Sequence, residues 1–343
     1  MKTRPSMMRP LLCLKQLAIL WVICSAWAWA SEDTTLHRGV GPEPDALDPH
    51  LAQSLSAFNV LRDLHEGLVT LDAKGQRIPG VAQSWQVSAD GLVWTFDLNT
   101  EARWSDGTSI VAEDFVRGWQ RAVNPLTGSP TAGVLGPIAN AAAIRRGEAS
   151  LDALGIRALG EHVLEVTLER STPWFEELLT HPVLVPWREF SESEGMVFSG
   201  AYQLSERLPG AYVRLKANPH YREANQVALP EVVWHVIEEP NVELARFRAD
   251  QLHITETIPP GRVNWLAEEV GDALRISPYL GTFFLGFNTA RPPFKDQAGL
   301  REALSLVIDR GLLTERVLGA GEQPAYALIP PTLPDWPMSP SFA

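Results

Sequence analysis

Between Val81 and Ala122 the chain carries Trp85, Trp94, Phe96, Trp104, Phe115 and Trp119, a density of large rings that requires a well-packed core. Trp85–Val87 and Trp94–Leu98 flank Ser88-Ala89-Asp90-Gly91, and Asp-Gly supplies the positive φ that a tight hairpin needs. Trp104 is read as ending a strand, after which Ser105-Asp106-Gly107 turns the chain toward a helix. That helix, Glu113–Val123, places Phe115, Val116, Trp119 and Val123 on one face. Its first acids, Glu113 and Asp114, suit the positive end of the helix dipole. These aromatic residues are read as bracing a fold rather than touching a ligand.

The rest of the chain alternates short β-rich runs with helical ones. Leu36–Val40 reads as a strand, Ala57–Glu66 as a helix ending at Gly67, and Val163–Leu168 as a strand. Ala201–Leu204 and Tyr212–Leu215 form a second hairpin around Pro209-Gly210. Val232–Ile237 is a strand, while Val242–Ala249 and Leu300–Ile308 are helices, with a further helix from Arg310 to Val317. No fixed-period repeat is present. The mixture indicates α/β or α+β, from which function does not follow.

The first thirty residues have the three parts of a secretory signal peptide. Lys2, Arg4, Arg9 and Lys15 precede the apolar run Leu17–Ala26, and Ala28 and Ala30 bracket Trp29. A bilayer span needs about twenty apolar residues, more than this run supplies. Cys13 and Cys24 both fall in this segment, and Leu12 and Ile23 before them do not suit a lipid-modified cysteine. The mature chain therefore has no thiol for a disulfide, metal site or nucleophile, and its stability must come from an ordinary core. Cleavage removes four of 29 basic residues and none of 41 acidic ones, leaving a formal charge of −16. Nucleic acid and anionic membrane surfaces are disfavoured partners for such a chain.

Most catalytic patterns are missing. There is no G-x-S-x-G elbow, phosphate-binding loop, dinucleotide fingerprint or H-E-x-x-H pair. His65-Glu66-Gly67-Leu68 begins like a zinc helix but lacks the second histidine, and Glu238-Glu239 and Glu268-Glu269 read as solvated acids. No cofactor or metal is expected.

Several blocks together resemble the bacterial extracellular solute-binding proteins of family 5, the oligopeptide and dipeptide receptors of ATP-driven importers. They are Leu47-Asp48-Pro49-His50, Arg62 to Leu68 (RDLHEGL), Pro79 to Trp85 (PGVAQSW) and Trp104-Ser105-Asp106-Gly107 with Asp114-Phe115. Asn288, Pro292-Pro293-Phe294, Arg301-Glu302-Ala303-Leu304 and Ile308-Asp309-Arg310 form the last, and Tyr202 and Asn218-Pro219-His220-Tyr221 also fit. The resemblance implies an α/β, class II periplasmic-binding-protein fold, two lobes hinged around a cleft with an extra inserted domain. Mapped here, 1–30 is the signal peptide, 31–65 begins the first lobe, 66–185 is the inserted domain, 186–287 returns to the first lobe and 288–343 starts the second. Relatives run on by roughly two hundred residues, so most of the second lobe is expected to be missing.

In that family the ligand lies extended and is held by main-chain hydrogen bonds, with side chains in wet pockets. The resemblance implies that the groups meeting the peptide's termini mostly belong to the missing part, and that closure of two lobes tightens the site. It places Gln53, Ser54 and Leu55 along the cleft, Thr131 where a relative has a ligand-facing tyrosine, and His181 at a cleft-side histidine position. It further implies short peptides as ligands, the membrane permease of an ABC importer as partner, a periplasmic location and a monomer. Nickel complexes, opines, haem or oligosaccharides serve other members, and the few histidines and absent thiols disfavour a metal cargo. The alternatives are an exported hydrolase acting on peptides or sugars, and a non-functional fragment of a family 5 binding protein.

Overall fold

The computed structural model describes residues 34–189, 195–277 and 279–330. The expected signal peptide, with both cysteines, lies outside the described residues, as does the Pro-rich end from position 331. The described elements are, in order, β1 (Thr35–Gly41), α1 (Leu55–Leu64), β2 (Val69–Leu71), β3 (Arg77–Pro79), β4 (Ala82–Val87) and β5 (Val93–Leu98). Then come α2 (Ala112–Val123), α3 (Ala141–Arg145), β6 (Ile156–Gly160), β7 (Val163–Thr167), α4 (Phe175–Leu178), β8 (Tyr202–Leu208) and β9 (Tyr212–Ala217). Last are β10 (Glu231–Val236), α5 (Pro240–Arg248), α6 (Val263–Glu269), α7 (Ala298–Val307) and α8 (Arg310–Leu312). Two compact units result. One is built mainly from Arg62–Arg207 and Arg214–Val233, the other from His37–Leu61, Leu208–Val213 and the described residues from Trp234. A four-stranded sheet runs in the order β1-β10-β9-β8.

In the first unit, β4-β5-β7-β6 form an antiparallel sheet. The predicted aromatic hairpin is present, with Trp85 opposite Phe96 and Val87 opposite Trp94. Gly91 has a φ of 72°, and the Asp90 carboxylate accepts from the Ser88 hydroxyl and the Leu92 N–H, which closes the turn. Trp94, Phe96 and Leu98 alternate along β5 and are buried in one core with Phe115 and Trp119 of α2. Trp119 is fully buried and its indole N–H donates to the Leu184 carbonyl at 2.9 Å.

Asp114 does more than complement a dipole. Its carboxylate accepts from the Trp104 indole at 3.1 Å and the Val111 N–H at 2.9 Å, and pairs with Arg117. One acid thus satisfies an orphan donor at the start of α2 and fastens the preceding loop. Trp104 itself is not the end of a strand, because pairing there is confined to a single bridge between Arg103 and Ser109.

Gly200 packs directly on the segment leaving α1. A Cβ there would lie 2.6–2.7 Å from the Asp63 carbonyl oxygen, the Leu64 carbonyl carbon and the His65 nitrogen, all backbone atoms that cannot swing aside. Gly200→Ala should therefore destabilise the chain by about 2–3 kcal/mol in urea unfolding, at the upper end of overpacking costs.

In the second unit, Ala52, Ala57 and Leu61 form a small buried cluster with Ala46 and Phe58 against it. α7 starts two residues before the predicted Leu300–Ile308 helix and ends one residue short of it, at Val307; it has no buried residue, and Leu306 and Val307 are exposed. The next helix begins at Arg310 as expected, then widens from Leu313 to Leu318 into a π-turn that Gly319 ends with a φ of 70°.

Candidate functional site

Asp45 organises the segment carrying Gln53, Ser54 and Leu55. Its carboxylate accepts the Gln53 N–H at 3.0 Å, the Ser54 N–H at 3.1 Å and the Ser54 hydroxyl at 2.5 Å. Partial burial works against its charge, but the Ser54 hydroxyl and these N–H groups outweigh it and hold the carboxyl below its ordinary range. Ser54 is also the N-cap of α1, because its hydroxyl oxygen accepts the Ala57 N–H at 3.2 Å and its carbonyl accepts the Phe58 N–H at 3.1 Å. Leu55 is the first residue of the helix and is 54% exposed, and Gln53 is exposed. The segment is thus a capped helix start, and two of its three N–H groups are already engaged. Asp45, eight and nine residues upstream, carries no periodic signal and was not read as part of it.

Thr131 and His181 lie in the other unit, each immediately before a short 3₁₀ helix, Ala132–Leu135 and Pro182–Leu184. Both short helices pack on α2 and on one another. The Thr131 hydroxyl and its neighbour Ser129's are buried, with no hydrogen-bond partner among the described residues. His181 Nδ1 accepts the Val183 N–H at 3.1 Å, which leaves the ring proton on Nε2 and makes that atom a donor. Burial, and then the charge of Arg62, push its pKa down to about 4. A depressed histidine takes up its proton on unfolding, so its contribution to stability is intact above about pH 6.5 and is lost as pH falls toward 4. His181 should remain neutral at pH 5.5, which ring ¹⁵N and ¹³C shifts will read directly.

The His65-Glu66-Gly67-Leu68 block has a different purpose from zinc binding. Glu66 is buried, and its carboxylate accepts from Arg222 through Nε at 2.8 Å and through the second terminal nitrogen at 3.0 Å. The Tyr221 hydroxyl donates to the same group at 2.6 Å. Burial and the Glu66 carboxylate raise the Tyr221 hydroxyl far above its usual value, so it stays a donor. Burial opposes the Arg222 charge, yet the same carboxylate more than compensates and raises it. Glu66 therefore ties the chain after α1 to the Asn218-Pro219-His220-Tyr221 block, which accounts for the two motifs occurring together.

Residues 76–343 match the family described as bacterial extracellular solute-binding proteins, family 5 Middle. The chain belongs to this family. It is 38% identical over 310 residues to the Escherichia coli periplasmic murein peptide-binding protein MppA, covering 88% of this chain and 57% of MppA. With the E. coli periplasmic oligopeptide-binding protein OppA it is 35% identical over 325 residues, covering 89% of this chain and 60% of OppA. The solved structure of E. coli MppA superposes with a TM-score of 0.86 at 37% identity, over 91% of this chain and 63% of that one. The α/β fold of this family is thus the fold of the chain, which spans less than two thirds of the relatives it matches. Among the described residues no helix is long and apolar enough to cross a membrane.

Proposed function

We propose that the chain belongs to a periplasmic receptor that captures short peptides and passes them to the permease of an ABC importer. The observation that supports this most is the 0.86 TM-score with a murein tripeptide binding protein over nine tenths of the chain. Haemophilus influenzae OppA, solved in complex with the peptide RPPGFSPFR, superposes with a TM-score of 0.83 at 32% identity, over 88% of this chain and 61% of that one. In this reading the ligand runs extended, held through its main chain, which every peptide offers regardless of sequence. The exposed Gln53 and Leu55 contribute side-chain contact, and the Nε2 donor of His181 contributes polar contact. Turnover is not part of the role. The receptor acts as a monomer without a cofactor. Titration calorimetry with mixed tri- to pentapeptides should give saturable heat, and oligosaccharides should give none. Heat from oligosaccharides alone would redirect the reading to another cargo.

A further inference from the structure

Gln53 and Leu55 are exposed, and Ser54 between them is half-buried. Proton directions around Ser54 follow from one carboxylate. Asp45 can only accept, so its contact with the Ser54 hydroxyl is a donation by Ser54. A hydroxyl has a single proton, so the 3.0 Å contact between the Ser54 and Ser56 hydroxyls is a donation by Ser56. The Ala57 N–H, at 3.2 Å, takes the second lone pair of the Ser54 oxygen. Meanwhile Asp45 accepts the Gln53 N–H through Oδ2 and the Ser54 N–H through Oδ1. One carboxylate thus fixes two successive N–H groups and the hydroxyl that caps α1.

Asp45 is itself anchored. Ala46, the next residue, packs on the Ala52, Ala57 and Leu61 cluster, and Leu47 is buried. Asp48 then closes the turn that follows. Its carboxylate accepts the His50 N–H at 2.9 Å, and its carbonyl accepts the Leu51 and Ala52 N–H groups at 3.1 and 3.0 Å. The loop 45–54 is therefore closed twice, by Asp48 within it and by Asp45 across it.

We infer that Asp45 is a positioning residue for the ligand, acting through Gln53 and Leu55, whose side chains it holds in one presentation. This role rests on the reading that these two side chains meet the peptide. Because Asp45 occupies the N–H groups of Gln53 and Ser54, the segment offers side chains rather than those two donors. A segment ordered before the ligand arrives spares the ordering cost of binding, which a loop without the carboxylate would have to meet. Asp45→Asn separates this role from bulk. The amide keeps the size of the carboxylate but replaces one acceptor oxygen by a donor NH₂. Whichever way the amide turns, one of the two N–H groups then faces a donor.

The test is calorimetry on the full chain with trialanine as the probe, at a temperature where urea unfolding shows every variant to be folded. Asp45→Asn should weaken binding about fivefold, the effect of one lost hydrogen bond. Introduced into a Gln53→Ala, Leu55→Ala background, the same substitution should change binding less than about twofold, because the groups it acts through are gone. Unchanged binding in Asp45→Asn overturns the role. An equal loss in both backgrounds also overturns it, since Asp45 would then act on the fold at large. Should the alanine pair remove measurable binding, amide exchange decides. The Gln53 or Ser54 N–H should exchange at least about tenfold faster in Asp45→Asn than in the wild type, and equal exchange overturns the role. No heat with the wild type would instead contradict the peptide reading, and this role with it.

Discussion

Arg222→Leu is expected to destabilise the first unit by about 3–5 kcal/mol, because it leaves a buried carboxylate without its cation. Glu66 is only 6% exposed and Arg222 12%, so water cannot replace the lost partner at little cost. After the substitution the Glu66 carboxylate retains the Tyr221 hydroxyl and loses both guanidinium contacts. The double variant Glu66→Leu with Arg222→Leu should cost clearly less than the sum of the single changes, since a buried pair is worth far less than either partner is when stranded. Urea unfolding of the three variants closes the cycle. Additive single and double effects would show that the two residues act independently.

Trp119→Ala should cost a similar amount, about 3–5 kcal/mol, by a different mechanism. The indole is fully buried between α2 and its surroundings, so its removal leaves a cavity that a helix on a sheet cannot collapse around. It also strands the Leu184 carbonyl that accepts the indole N–H. Trp119→Phe restores most of the volume without the donor and should recover more than half of the loss. Leu184 closes the short helix that begins after His181, so the alanine variant should also move the His181 ring signals. Unmoved His181 signals would mean that α2 does not position that turn.

The parts of this fold legible in the sequence were those whose pattern is local. The Trp85–Leu98 hairpin was readable because alternation and Asp-Gly lie within fourteen residues, and the structure pairs Trp85 with Phe96 as that pattern requires. α2 was readable from its apolar stripe. α1 begins two residues earlier than its apolar pattern suggests, because the Ser54 hydroxyl caps it. β2 and β3 have three residues each, too few to show a period, and β6 has only Ile156 buried. The π-turn after α8 was missed because one inserted residue in a helix leaves the apolar spacing nearly unchanged.

Within the candidate site, the blocks pointed to the right family while hiding the reasons for their residues. Glu66 looked like half of a zinc motif, because its true partners, Tyr221 and Arg222, follow 155 and 156 residues later. Asp45 gave no sign that it would hold Gln53 and Ser54, since a carboxylate bonding to backbone N–H groups leaves no trace in composition. His181 was placed by resemblance alone. Its neutrality comes from burial and Arg62, which only the folded chain brings together.

Peptide capture through the main chain is tested most directly by comparing peptides that differ in backbone with peptides that differ only in side chains. Calorimetry would titrate the chain with trialanine, trilysine and triglutamate, and then with trialanine N-methylated at its two internal amides. Recognition of the backbone requires the three unmodified peptides to bind within about tenfold of one another, and methylation to weaken binding by at least tenfold, at about 1 kcal/mol or more per lost hydrogen bond. Binding of the methylated peptide as tightly as trialanine, or no heat with any peptide, would contradict it.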